Sequence, residues 1–439
     1  MLSRSDAELL GVAQRDHLGR SSLAKVATRD FGPLDVIAES CRGHIPRLVP
    51  EKFKRMNASV FAFFRGAVEI MAADLAISAN TRIKAQLCGD AHLKNFGFFA
   101  SPGADIVLDI NDFDQTQRGP WEWDVKRLAA SVVLAARVAR CSASQSRDAT
   151  RLFLREYCGW MRRFAIMPTI DVARHRAVRN FQVPAIRSAL QEAERATPLF
   201  NLAKLTSFSR RQGYRFTPKQ NGVLSISSAE RKAVLAALPQ YREILRPEQA
   251  ALFDRYKAID VAFKVAGTGS VGTRDYVVLL FAHDSKDPLF LQIKEELPSA
   301  YAAYYKDHNA PHHQGERVVA GQRAMQVYSD PLLGWCSINQ RDYLVRQLSD
   351  HKGSIDPEQL SGRKLAEYSR ICGELLAKGH ARSGDPAVIA AYIGRSDRAE
   401  KALLQFALKY ADQTVEDFSA FKKALGKGFA ASVMKKMKA

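Results

Sequence analysis

Between Leu87 and Asp124 the chain reads LCGDAHLKNFGFFASPGADIVLDINDFDQTQRGPWEWD, a stretch whose acids and amides could serve phosphoryl transfer. Asp90 and Asn95 stand five apart, the D-x-x-x-x-N spacing in which the Asp engages an acceptor hydroxyl and the Asn a metal ion. NFGFF and DIVLDI are short apolar runs separated by the Pro-Gly turn SPGA, so they read as a hairpin. That hairpin returns Asp109, Asp112 and Asp114 to the neighbourhood of Asn95. Carboxylates gathered in this way repel one another unless a cation lies among them. A hard divalent ion such as Mg²⁺ accepts one or two carboxylates plus phosphate oxygens, and Asn95, Asp112 and Asp114 are the candidate ligands.

A second stretch, Ala258 to Glu296, must supply whatever holds the phosphates. Gly267, Gly269 and Gly272 make G-x-G-x-x-G, a pattern two folds share. A dinucleotide-binding fold needs a helix directly after the glycines, whereas RDYVVLLFA is β-branched and aromatic and reads as a strand. Strand, glycine loop, strand, turn and strand is the roof over ATP in a kinase nucleotide lobe. The third strand, PLFLQIK, ends in Lys294, placed like the lysine that reaches the α and β phosphates. Glycines let backbone amides approach phosphate oxygens with no Cβ in the way. A helix over QGERVVAGQRAMQVYSD follows, with Glu316 as the expected partner of Lys294. Glu295 and Glu296 are expected to face elsewhere or to be solvated. LLGWCSI and RDYLVRQL complete a five-stranded sheet leading to a hinge near residues 347–350.

GDAHLKNFG, followed by DINDFD and GPWEWDVKRLA, resembles the signature of a bacterial family catalogued as domain of unknown function 2252. That family is similar in turn to the aminoglycoside-phosphotransferase branch of the protein-kinase-like superfamily. The resemblance implies that Asp90 is the catalytic aspartate, His92 its neighbour in the loop, Asn95 a metal ligand and Asp112 the metal aspartate. Asp124, 12 positions after Asp112, matches an aspartate that opens a buried helix and braces the catalytic loop. Cys88 departs from the family pattern, since it stands where the first His of H-G-D-x-H-x-x-N would be. GD-x-H also resembles metallophosphoesterases, but their earlier D-x-H and later G-N-H-D/E are missing.

The remaining elements are read for how they position these groups. FAFFRGAVEIMAADLAIS has helical periodicity and is expected to form a buried helix, with Arg65 paired to an acid of the core or, as the alternative, binding a phosphate. VKRLAASVVLAARVAR and RDATRLFLREYCGWMRRFAI are expected to be helices of the catalytic lobe. Residues 171–256 read as a helical or loop-rich insertion or connector. From about residue 361 the chain is expected to be helical, with His380 and Asp385 structural. The basic tail, KKALGKGFAASVMKKMKA, reads as a solvated terminal helix. Asp30-Phe31-Gly32 spells the kinase metal tripeptide but precedes the catalytic loop and is followed by Pro33, so it is set aside.

Composition bounds the possibilities. Apolar residues make up 46% of the 439 and charged residues 25%, which argues against disorder. Six scattered cysteines without a C-x-x-C pair suggest neither a zinc site nor a disulfide framework, and a cytoplasmic setting fits. No run is long and apolar enough to span a membrane. The excess of 65 basic over 46 acidic residues, a charge of +19, favours anionic partners, nucleic acid among them, although no nucleic-acid motif is present.

The expectation is an α+β, protein-kinase-like, two-lobed fold, circularly permuted because the catalytic loop precedes the glycine loop. Residues 1–170 would carry the catalytic part of the helical lobe and 171–256 the connector. Residues 257–350 would form the nucleotide lobe, and 351–439 would complete the helical one. The implied activity is ATP- and Mg²⁺-dependent phosphoryl transfer to an unidentified, small hydroxylated acceptor. A protein kinase, a nucleotidyltransferase, a non-catalytic nucleotide-binding regulator and a basic nucleic-acid-binding protein are the alternatives.

Overall fold

A computed structural model describes residues 3–101, 103, 105–177, 184–265, 271–348 and 351–437. The protein is mixed α/β with several antiparallel sheets. No helix among the described residues is long and apolar enough to cross a membrane, and all six cysteines are free thiols.

The hairpin forms where the apolar runs and the Pro-Gly turn put it. Phe96–Ala100 pairs antiparallel with Ile106–Ile110, Phe96 opposite Ile110 and Gly97 opposite Asp109. Its apolar side chains Phe96, Phe98, Leu108 and Ile110 enter the main core. Behind it pack Glu122–Val138, Ala143–Ile166 and Arg363–Ser383. Ser142 and Gln145 form a capping box that starts the second of these helices, satisfying amides the helix itself cannot. Asp385 caps the helix Pro386–Ile393 by accepting the amides of Ala387 and Val388, in keeping with a structural part.

The larger sheet has six strands, not five. In spatial order they are Gly334–Ile338, Arg341–Gln347, Pro288–Glu295, Asp275–Phe281, Lys257–Lys264 and the short Val223–Leu224. Side chains alternate across it, as the two-residue period requires. Val278, Leu280, Leu291 and Ile293 bury against Val234, Tyr241 and Phe253. Val277, Leu279 and Phe290 bury against Leu202, Leu205 and Phe216 on the other face.

Of the helical and loop-rich character expected for residues 171–256, the described part is chiefly helical. The described part contains the helices Pro184–Arg195, Pro198–Leu205, Ser228–Ala236, Leu238–Glu243 and Pro247–Phe253, and a hairpin, Thr206–Ser209 with Gly213–Phe216. Residues that resembled loop punctuation are helix starts. Thr197 caps with Pro198 in the first turn, and Ser227 forms a capping box with Glu230.

Two further expectations are corrected. The run from Phe61 is two helices, Val60–Gly66 and Val68–Ala76, because Ala67 leaves helical geometry at φ −131°. Gly66 beside it weakens any continuous helix there. The basic tail is not wholly solvated. Phe429 stacks on Phe53 at 5.5 Å, and Val433 is buried, leaving Lys435 and Lys436 in solvent.

Candidate active site

Asp90 sits in a turn that the chain can make only because position 89 is glycine. Gly89 has φ +84°, and a Cβ there would lie 1.9 Å from the Gln115 carbonyl oxygen. Asp124, fully buried, accepts the Cys88 amide at 2.8 Å and the Gly89 amide at 3.1 Å and so fixes the turn from below. His380 Nε2 lies 3.3 Å from the same carboxylate, and its Nδ1 meets the Tyr157 hydroxyl at 2.7 Å. Around Asp124, Trp121 stacks on Tyr157 and Trp123 on Tyr301, while Glu122 accepts the Thr81 amide at 2.6 Å and its hydroxyl at 2.7 Å. The segment PWEWD thus braces the loop through alternating aromatic stacks and buried carboxylates.

Asp90 is held on one oxygen by Arg127, whose Nε donates at 2.6 Å, with His92 Nε2 3.5 Å from the other. Burial alone would raise the Asp90 carboxyl, but Arg127 and His92 outweigh it and hold the group well below the usual range. Asp90 is therefore an anion at neutral pH. His92 is lowered by burial despite Asp90, and its Nδ1 is buried without a hydrogen-bond partner. Asn95 spends its amide N–H on the Asp90 carbonyl at 2.7 Å. Its side-chain oxygen takes no hydrogen bond among the described residues and can serve a cation.

Lys294, at the end of its strand, forms an ion pair with Asp114, 180 positions away in sequence. Burial lowers the lysine, but Asp114, Asp112 and Glu296 more than reverse this and leave it a firm cation. Burial and the Asp114 carboxylate push Asp112 up. Asp114 is brought down, burial opposing and Lys294 prevailing. Asp114 Oδ1 is buried with no hydrogen-bond partner. Arg317 joins the two regions, donating to the carbonyls of Thr116 (2.6 Å), Asp114 (2.9 Å) and Leu297 (2.9 Å). Asp90, His92, Asn95, Asp112, Asp114 and Lys294 all line one open cleft of about 460 Å³.

The donor set suits a hard divalent ion in part. The carboxylates of Asp112 and Asp114, the latter with its orphaned buried Oδ1, and the Asn95 amide oxygen provide hard oxygen ligands, and Mg²⁺ commonly needs no more from the protein than one or two carboxylates. No group of three or more His, Cys, Asp or Glu side chains among the described residues is disposed to hold a metal ion, so phosphate oxygens and water would have to complete the shell.

Not every expected residue is here. Glu316 lies in the first turn of Gln314–Met325 with its amide on His313 Nδ1 at 3.1 Å, and the partner of Lys294 is Asp114 instead. Glu295 and Glu296 are buried, not solvated. Glu295 pairs with Arg274 and Arg341, while Glu296 lines the cleft, its carboxyl pushed well up by burial and by Asp114. Asp109 turns away from Asn95 and forms a buried ion pair with Lys378. Gly267 and Gly269 lie outside the described residues. Gly272 is at φ +117°, and a Cβ on it would sit 2.6 Å from His44 Nδ1, so contact with His44 is one reason for glycine there. Arg65 lines the cleft with its Nε unpartnered and is not paired to a core acid. Its neighbours include Asp90 and Asp112, whose charges oppose the lowering that burial imposes. The buried acids and bases of Glu122–Val138 were the missed signal, four charged residues within six positions of an otherwise apolar helix.

The fold and the cleft define a mixed α/β protein in which an acidic hairpin loop and a sheet-borne lysine converge. The chain belongs to the bacterial family described as an uncharacterised protein conserved in bacteria, domain of unknown function 2252, whose profile matches residues 42–424. No curated protein and no solved structure matches it.

Proposed function

We propose that the protein is an ATP- and Mg²⁺-dependent phosphotransferase with a circularly permuted, kinase-like arrangement, acting on a small hydroxylated acceptor. The observation that carries this reading is the ion pair between Lys294 and Asp114, which puts the strand-end lysine and the acidic loop in one cleft with Asp90. Two sequence motifs in reversed order have no need to meet unless one site uses both. The strand order of the five longer strands, with a helix between Pro288–Glu295 and Gly334–Ile338, suits a nucleotide lobe and adds support.

In this reading Asp90 accepts a hydrogen bond from the acceptor hydroxyl and aims its oxygen at the terminal phosphorus. As that O–P bond forms, the bond to the β-phosphate oxygen breaks, ADP departs and the hydroxyl proton passes to Asp90 or to solvent. Arg127 makes Asp90 a weak base. That is sufficient where the transition state is loose and positioning outweighs proton abstraction. Lys294 is the cation available to the phosphate oxygens. Asn95, Asp112 and Asp114 would hold Mg²⁺, which when bound neutralises charge on the phosphates. His380 and Asp124 keep the Asp90 turn rigid, making good the missing histidine at position 88.

The test is the product. With Mg²⁺, ATP and a mixture of polyhydroxylated metabolites, the expected products are ADP and a phosphorylated acceptor. Pyrophosphate release would assign nucleotidyl transfer instead, and ATP binding with neither product would assign a non-catalytic binder.

A further inference from the structure

The cleft extends past the phosphotransfer groups into a second half built from the first 70 residues, which the reaction as described does not use. Lys52 is only 2% exposed, yet it forms no ion pair among the described residues. A cation on a largely buried side chain that lines a cleft is ordinarily paired with an anion. Glu69 stands near it, since both act on the Cys41 thiol, but Glu69 Oε2 is itself buried without a hydrogen-bond partner. Arg65 lines the same cleft within the influence of the Asp90 charge, its buried Nε also unpartnered. His44, brought down to about 3 by burial and by Lys52, is neutral and adds no charge. Arg42 and Glu39 satisfy each other at the rim at 2.9 Å. Buried polar atoms in a native protein are nearly all partnered, so several orphans around one cavity point to a missing ligand.

We propose that this half of the cleft is the acceptor subsite, and that the acceptor carries an oxyanion held by Lys52 and Arg65 together with a hydroxyl that donates to Glu69. The inference deepens the phosphotransferase reading and rests on it for the word acceptor. The oxyanion site itself stands on Lys52, Arg65 and Glu69 alone. A small polyol bearing a phosphate or a carboxylate has the required chemistry. With its anion at Lys52 and Arg65, a second hydroxyl would be directed to Asp90, which lines the same cleft.

The experiment is thermal unfolding of the full chain at constant ionic strength with inorganic phosphate or with acetate, in the absence of nucleotide. Four proteins are compared: wild type, Lys52→Met, Lys52→Arg and Lys294→Met. The expected result is stabilisation by phosphate of wild type, Lys52→Arg and Lys294→Met. In Lys52→Met the apparent phosphate affinity should fall at least about tenfold, the size expected for a lost charge-assisted hydrogen bond. Stabilisation by acetate as well would indicate a carboxylate-bearing acceptor, and stabilisation by phosphate alone a phosphate ester. Phosphate binding that survives in Lys52→Met but disappears in Lys294→Met would overturn the subsite, while leaving the nucleotide reading intact. Lys52-dependent phosphate binding in a protein that fails to bind ATP would uphold the oxyanion site and remove the phosphotransferase. If Lys52→Met does not fold, loss of the phosphate effect in Arg65→Gln decides the matter, and its persistence there contradicts the proposal.

Discussion

Asp90→Asn is expected to lower turnover by roughly 10³-fold or more, the scale on which one positioned group acts in a transition state, while leaving nucleotide binding nearly unchanged. Asp90 lines the cleft but lies apart from Lys294, which pairs with Asp114. An Asn in its place would retain one acceptor oxygen but lose the negative charge that orients the hydroxyl. The variant should also melt at a lower temperature, since Arg127, fully buried, would then face a neutral amide. Measuring turnover and ATP affinity on the same folded sample separates the two effects. Wild-type turnover in Asp90→Asn would remove this residue from the reaction.

The largest stability effect is expected at Lys378. Its ammonium and the Asp109 carboxylate form an ion pair deep in the protein, Lys378 on the helix Arg363–Ser383 and Asp109 on the hairpin. Among the described residues Asp109 has one other hydrogen bond, from the Ile110 amide at 2.9 Å. Lys378→Met would leave that carboxylate buried without its counter-charge, at a cost of about 3–5 kcal/mol. Against a typical net stability of roughly 5–15 kcal/mol, the variant should be close to unfolding. Removing both charges in Lys378→Met with Asp109→Leu should recover much of the loss, because the pair as a whole also bears a desolvation penalty. Denaturant unfolding of the two variants checks this. A double variant less stable than Lys378→Met would show that Asp109 serves something other than Lys378, such as a metal.

What could be read from the sequence was what local pattern encodes. The hairpin after Asn95 follows from two apolar runs and a turn, and the strand carrying Lys294 from β-branched residues after a glycine cluster. Asp90, Asn95 and Asp112, singled out for their short spacing, line one cleft. Within residues 171–256 the turn-like Thr197 and Ser227 are helix caps, because caps use the same residue types that make turns. The partners of the site were harder, because each is a pair formed across the fold. Nothing near Asp90 in sequence announces Arg127, and nothing near Asp124 announces His380. Glu316 was chosen as the partner of Lys294 by analogy with helix position, whereas the geometry supplies Asp114 and places Arg317, the next residue, on the backbone of the acidic loop. The sign that such pairs exist was available in Lys126, Arg127 and Lys378, cations set among the apolar residues of buried helical stretches. A charge in that setting must find a counter-charge or a hydrogen bond inside the protein.

The central claim is that Lys294 and Asp112 belong to one metal-dependent nucleotide site. It is tested most directly by thermal unfolding of wild type and Asp112→Asn with and without ATP, each in the presence and absence of Mg²⁺. ATP at about 100 times its dissociation constant should add roughly 2.7 kcal/mol, a rise of roughly 3 °C for a chain of this length. The account predicts a Mg²⁺-dependent rise in wild type that is lost in Asp112→Asn. No rise in either protein at millimolar ATP, or an equal rise in both, would contradict it.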